Sequence, residues 1–310
     1  MVLNPDEGGV VAYTEYFGLT REPFSNAPDA RFYFNSEQHS QALVRLMYAV
    51  DSNQGLAVTI GGVGTGKTTL ARRMLDNLPE DRYESSLLVM VHSGITPDWI
   101  LTRIAMQLGV ESPDEDRLPL LKQLYDRLLE IDKAGKRAVV LIDEAQMLQT
   151  RELMEEFRGL LNLEIPGKKL LNIVFFGLPE VEDCLRLDEP LAQRVAVKYH
   201  LQSLSLATTK SYIKHRLQIA GAGRMLFAPE VIPVIHRYAG GVPRLINTIC
   251  DNCLFEAFMR KLSEVDLKTV HSVAGDLGLL SQPLSSGSQG EAHGDLDEIE
   301  SMLDRLEQQI

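Results

Sequence analysis

The sequence predicts an α/β fold: a three-layer domain built on a parallel sheet, followed by a small helical domain. Three observations carry that prediction. Between residues 56 and 201, apolar runs of strand length alternate with helix-spaced segments, the order that places helices on both faces of a parallel sheet. Between the first such run and a helix sits Gly61-Gly62-Val63-Gly64-Thr65-Gly66-Lys67-Thr68, the G-x-x-x-x-G-K-T spacing of a phosphate-binding loop. After residue 204 the strand pattern stops and only helical segments follow.

Composition supports a globular chain of more than one domain, since 310 residues with 45% hydrophobic content bury a sizeable core. No apolar run reaches the length of about eighteen residues that a membrane span needs. Asp6 and Glu7 lie in an N-terminus with no basic-then-apolar secretory pattern. Three cysteines, an odd number, argue against a disulfide framework and fit a reducing cytoplasm. The net charge of −12 disfavours non-specific binding to phosphate backbones. Half of it falls on residues 291–310, where Glu291, Asp295, Asp297, Glu298, Glu300, Asp304 and Glu307 outweigh Arg305.

In chain order, residues 1–35 form an aromatic and proline-rich segment with Tyr16-Phe17-Gly18-Leu19, Pro23-Phe24 and Phe32-Tyr33-Phe34. It is too aromatic for a free tail and is expected to pack on the core domain that follows, or to line the base of a bound nucleotide. The sheet domain spans 36–204. Ser36 caps a helix whose buried stripe is Ala42, Leu43, Leu46, Met47 and Val50. Leu56–Ile60 is a strand, the phosphate loop follows it, and a helix runs from Thr69 through Leu75. A second strand is expected at 87–91, helices at 97–108 and 120–133, and a buried strand at 138–142, whose apolar run is unbroken. A helix over 152–163 and strands over 171–176 and 195–201 complete the domain.

Helices over 205–220, 229–238, 242–261 and 264–277 make a lid domain spanning 205–278. A Ser- and Gly-rich linker occupies 279–294. In 295–310, Leu296, Ile299, Leu303, Leu306 and Ile310 fall at alternating spacings of three and four, an acidic two-heptad helix. Two heptads are too short to be stable alone. The tail therefore frays, docks on a protein partner or self-associates.

The glycine loop implies nucleotide chemistry. Backbone N–H groups from Gly61 to Thr69 wrap phosphates that side chains at the glycine positions would obstruct. Lys67 is expected to reach the terminal phosphates of ATP, and Thr68 to place its hydroxyl on Mg²⁺. Asp143 and Glu144 end the buried strand, where Asp143 suits a metal held through water and Glu144 a general base. An acidic pair at a strand end is also found on solvated surface, but five preceding apolar residues argue otherwise. Charge on a transferring phosphoryl group needs an arginine. Arg194, just before the last strand, would have to reach a neighbouring subunit's nucleotide, which implies a ring or filament. Arg244, at the start of a lid helix, would contact its own. Arg158 is a weaker second candidate for the intersubunit role. Cys250 and Cys253 have no second pair for a zinc site and fall at the i, i+3 spacing of a helix core.

Residues 13–275 resemble the ExeA/GspA-type AAA+ ATPases associated with bacterial general secretion. The resemblance runs through Tyr16-Phe17-Gly18-Leu19, Pro28-Asp29, Ser36-Glu37-Gln38-His39, Gly64-Thr65-Gly66-Lys67-Thr68-Thr69 and Ile142-Asp143-Glu144-Ala145-Gln146. It continues in Gly177-Leu178-Pro179-Glu180, Gln193-Arg194-Val195 and Gly241-Val242-Pro243-Arg244-Leu245-Ile246-Asn247. It implies an AAA+ fold, ATP with Mg²⁺, oligomeric assembly, and roles for Arg194 as arginine finger and Arg244 as lid sensor. The sequence departs from the family at Leu178, where a polar γ-phosphate sensor is common, and slow hydrolysis is the expectation. The membrane and peptidoglycan-binding regions of the secretion proteins are also missing from it. The expected function is that of a cytoplasmic, homo-oligomeric ATPase supporting assembly of a bacterial secretion or envelope system. The alternative is a transposition regulator similar to the TniB/TnsC/MuB proteins, which form filaments on DNA and recruit a transposase. Lys168-Lys169, Arg72-Arg73 and Arg151 would line DNA only if assembly clustered them. A third reading is a nucleotide-dependent switch whose tail docks on a partner.

Overall fold

A computed structural model describes residues 13–27 and 29–281. Its strands are, in chain order, β1 (Leu56–Gly61), β2 (Tyr83–Val89), β3 (Arg137–Asp143), the two-residue β4 (Glu164–Ile165) and β5 (Lys168–Lys169), β6 (Leu171–Gly177) and β7 (Val195–Leu201). Five of them form one parallel sheet in the order β2-β3-β6-β1-β7. The helices begin with the single turn α1 (Tyr13–Tyr16), then α2 (Glu37–Asp51), α3 (Lys67–Asp76), α4 (Pro97–Gln107) and α5 (Arg117–Lys133). α6 (Arg151–Leu160), α7 (Val181–Arg186) and α8 (Glu189–Ala192) complete the sheet's cover.

The unbroken apolar runs have a simple cause. Successive residues of a strand point to opposite faces, and both faces of this sheet are covered. Leu56, Val58 and Ile60 of β1, with Ala138, Val140 and Ile142 of β3, pack into a core shared with α4 to α8. Ala57, Val139, Leu141, Val174 and Phe176 point the other way, against Ala42 and Leu46 of α2 and Leu70 and Met74 of α3.

Two expectations about these elements need correction. β2 begins at Tyr83 rather than residue 87, because Tyr83, Glu84, Ser85 and Ser86 pair with Arg137 to Val140. As an edge strand β2 keeps polar residues that hide its pattern. The antiparallel pair β4 and β5 was not expected; its two-residue strands are too short to carry a period.

The second core belongs to the lid, built from α9 (Leu206–Ile219), α10 (Val231–Ala239), α11 (Pro243–Met259) and α12 (Leu267–Asp276). Cys250 and Cys253 lie fully buried in it. The N-terminal segment, expected on the sheet domain, packs here instead: Tyr13, Leu19, Phe24 and Phe32 are part of the lid's apolar cluster. Polar contacts fix that choice. Thr20 N–H donates to the Ala220 carbonyl at 2.8 Å, and Arg216 of α9 donates from Nε to the Pro23 carbonyl at 2.5 Å and from its guanidinium to that of Ser25 at 2.9 Å. The acidic tail helix expected at 295–310, and the linker from residue 282, lie outside the described residues.

Candidate nucleotide site

Strand β1 delivers the chain to Gly61, the glycine loop turns, and α3 starts at Lys67 with no side-chain cap. The turn needs glycine at two points. Gly66 has φ +102°, and a Cβ there would sit 2.9 Å from Nε2 of His39. Gly64 has φ +77°, and its Cβ would sit 2.7 Å from that of Arg244. Both conformations lie in the left-handed region that side chains avoid.

Val63 to Thr69 line a cavity of about 530 Å³. The carbonyls of Gly61 and Gly62, whose N–H groups are expected among the phosphate contacts, accept from Lys67 Nζ, each at 2.9 Å. Burial pulls the Lys67 ammonium below its ordinary value, while the charges of Glu144 and Asp143 act the other way.

β3 ends beside β1's neighbour β6, which brings Asp143 and Glu144 to the same rim of the sheet. Asp143 is 1% exposed. Its Oδ1 accepts from Glu144 N–H at 3.0 Å, and it is hydrogen-bonded to the Thr68 side chain. Burial nonetheless raises its pKa. Its Oδ2 is buried with no hydrogen-bond partner, an expensive state for a carboxylate unless something cationic completes it. The donor set fits magnesium, a hard cation that takes one carboxylate, a hydroxyl, waters and substrate phosphates. Among the described residues no cluster of three or more His, Cys, Asp or Glu could hold a metal by itself, so a phosphate-borne ion suits the site better than an all-protein cage.

Glu144 stands at φ +57° and faces the cavity, with Leu178 and Arg244 also lining it. The Arg244 N–H, at the first turn of α11, donates to the Gly64 carbonyl at 3.3 Å. Arg194 lies elsewhere. In the β1–β7 register Leu56 pairs with Val195 and Gly61 with Leu201, so Arg194 is at the opposite end of the strand, roughly 20 Å away at about 3.3 Å per residue. Its guanidinium donates to Asn162 Oδ1 at 2.7 Å and weakly to the Arg158 carbonyl at 3.4 Å, with no carboxylate among these partners. Arg158, the second candidate, is engaged by the buried Asp188 at 2.9 Å. Of the basic residues weighed as a DNA lining, Arg72 and Arg73 face the cavity, Lys168 pairs with Asp132 and Arg151 with Glu155.

Phe32, Tyr33 and Phe34, of the N-terminal segment, form one wall of the cavity. Several other lining or supporting residues carried no assignment from sequence. Facing the aromatic wall, Tyr212 OH donates to Asn247 Oδ1 at 2.8 Å, and Asn247 Nδ2 donates to Asn26 Oδ1 at 3.1 Å. Arg216 lies over the Phe32 ring at 4.8 Å and donates to Tyr212 OH at 2.9 Å. His39 sits under the loop, 2.7 Å from Ser36 Oγ and hydrogen-bonded to the Thr65 backbone, and burial lowers its pKa. His39, Gln146 and Asn247 stand inside the motifs that carry the family resemblance, which was the only signal for them; Arg216 had none.

A parallel sheet of this order, a glycine loop after its β1 strand, an acidic pair after β3 and a helical lid define an AAA+ protein of the P-loop class. Residues 50–185 match the AAA domain family. More narrowly, over 276 residues, 88% of its length, the chain is 39% identical to General secretion pathway protein A of Aeromonas hydrophila. It covers 48% of that relative, about half its length. Among solved structures, CDC6P of Pyrobaculum aerophilum superposes with a TM-score of 0.65 at 17% identity, covering 84% of this chain and 74% of that one. The ORC2 protein of Aeropyrum pernix, solved as ADPNP–ADP complexes, gives 0.63 at 17% identity, with coverage of 83% and 71%. Identities this low speak to the fold alone. No helix of the described residues is long and apolar enough to cross a membrane.

Proposed function

We propose that the chain binds ATP with Mg²⁺ and hydrolyses it within a homo-oligomer, at sites each completed by a neighbour's Arg194. The observation that carries this reading is the separation built into the sheet: Lys67, Thr68, Asp143 and Glu144 gather at one end, while Arg194 projects from the other. An arginine so placed cannot serve its own nucleotide, but a head-to-tail neighbour presents it to the next site.

In this reading the loop N–H groups from Val63 to Thr69 hold the phosphates. Lys67 Nζ exchanges its two loop carbonyls for phosphate oxygens. Thr68 and Asp143 would hold a magnesium ion, whose charge would offset that of the phosphates. Glu144 takes a proton from the attacking water as the new P–O bond forms and the bond to ADP breaks. Arg194 of the neighbour and Arg244 of the same subunit stabilise the charge on the transferring group. The kinship with General secretion pathway protein A supports a role in a secretion system, which we place in the cytoplasm, in the assembly of that system or of the envelope.

The test is assembly with ATP, with and without duplex DNA. Nucleotide-dependent closed rings indifferent to DNA are expected. Salt-sensitive filaments that form only on DNA would overturn the secretion role in favour of a transposition regulator.

A further inference from the structure

We infer that Gln146 is a positioning residue for ATP hydrolysis, holding the carboxylate of Glu144 and tying it to the backbone of Leu178. The inference rests on the proposed hydrolysis and names a group that the reading above leaves without a task.

Gln146 lies in the single 3₁₀ turn Ala145–Met147 that follows Glu144, and its side chain is 5% exposed. Its Oε1 accepts from the Leu178 N–H at 3.0 Å, and its Nε2 donates to Glu144 Oε2 at 2.6 Å. The orientation of that amide is dictated chemically. A backbone N–H can only donate, so the end facing Leu178 must be the oxygen, and the NH₂ group must then face the carboxylate. The surroundings enforce the arrangement. A Cβ on Gly177 would sit 2.3 Å from Val181 Cγ2, 2.8 Å from Gln146 Oε1 and 3.2 Å from the Gln146 backbone nitrogen, so glycine at the end of β6 leaves room for Val181 and Gln146 together. The Gln146 carbonyl also accepts from Cys184 Sγ at 3.7 Å.

Two consequences follow for Glu144. The bond from Gln146 to Oε2 holds its carboxylate on a left-handed backbone, and the acceptor sites left over on the two oxygens remain open to a water. The position of Glu144 is also linked to the end of β6 through one side chain. The apolar Leu178 side chain offers the nucleotide no hydrogen bond, but its main chain reaches Glu144 through Gln146. A charged acceptor bonded by a buried amide is held in place more firmly than one in water.

The cleanest variant is Gln146→Met, which keeps the length of the side chain and adds no charge but removes the donor to Glu144; Gln146→Leu is the second variant, should the first fail to fold. In the full chain, kcat for ATP is expected to fall about tenfold or more, with KM and ATP affinity within about twofold of wild type. In a Glu144→Gln background the same change should cost nothing further, since Gln146 acts through Glu144. Wild-type kcat in both variants, a loss confined to KM, or an undiminished further loss in the Glu144→Gln background would overturn the inference while leaving the hydrolysis reading intact. Absence of ATP turnover in the wild-type oligomer would overturn both.

Discussion

The backbone N–H of Arg244 donates to the carbonyl of Gly64 across 3.3 Å, so the first turn of the lid helix α11 rests on the phosphate loop itself. The loop and the lid are thus in direct contact, and a glycine at 64 serves that contact as much as it serves the phosphates.

Gly64→Ala tests the contact. The new methyl would press on Arg244 Cβ and Val242 Cγ1 at 2.7 and 3.0 Å, and alanine is strained at φ +77°. We expect about 1–2 kcal/mol of lost stability and weaker ATP binding, measured by denaturant unfolding and by titration with a fluorescent ATP analogue. Unchanged affinity would mean that the lid does not bear on the loop when nucleotide is bound.

Arg216 joins the N-terminal segment to the lid through carbonyls of Pro23 and Ser25 and through Tyr212. Arg216→Ala leaves those buried acceptors without a donor and should cost about 3 kcal/mol. ATP affinity should fall with it, because Phe32, Tyr33 and Phe34 share the cavity wall. Differential unfolding and ATP titration of the same sample check both parts.

Burial holds His39, His215 and His236 below the ordinary imidazole value of 6.5. At neutral pH each is uncharged in the folded chain, and as pH falls below 6.5 the unfolded chain takes up protons more readily than the folded one. The stability they contribute is therefore fully present above that pH and is lost as pH falls from there through the depressed folded values. Urea midpoints should drop between about pH 7 and pH 5, and His39→Gln should flatten part of the slope. A slope untouched by His39→Gln would assign it to the other groups.

Much of this arrangement is legible in residue order because its causes are local. The unbroken runs at Leu56–Ile60 and Ala138–Ile142 report a sheet covered on both faces, and the glycine loop and the acidic pair announce their own chemistry. The rest depends on contacts between distant positions. Nothing around Arg216 says that its guanidinium will meet Pro23, and the aromatic character of residues 16–34 says that they are buried without saying against which domain. Gln146 reads as one more polar residue in a motif until β6 brings the Leu178 N–H beside it. Tyr83 to Ser86 look like loop because an edge strand has less need of apolar residues.

A site completed between subunits is the central claim, and a mixing experiment tests it most directly. Arg194→Ala and Glu144→Gln should each bind ATP and each be nearly inactive alone, down about a hundredfold or more. In an equal mixture, an Arg194→Ala subunit retains Glu144 and can receive Arg194 from a Glu144→Gln neighbour. Random assembly should then restore about a quarter of wild-type turnover. Recovery at that level is the predicted result; a mixture no more active than its two components would contradict the account.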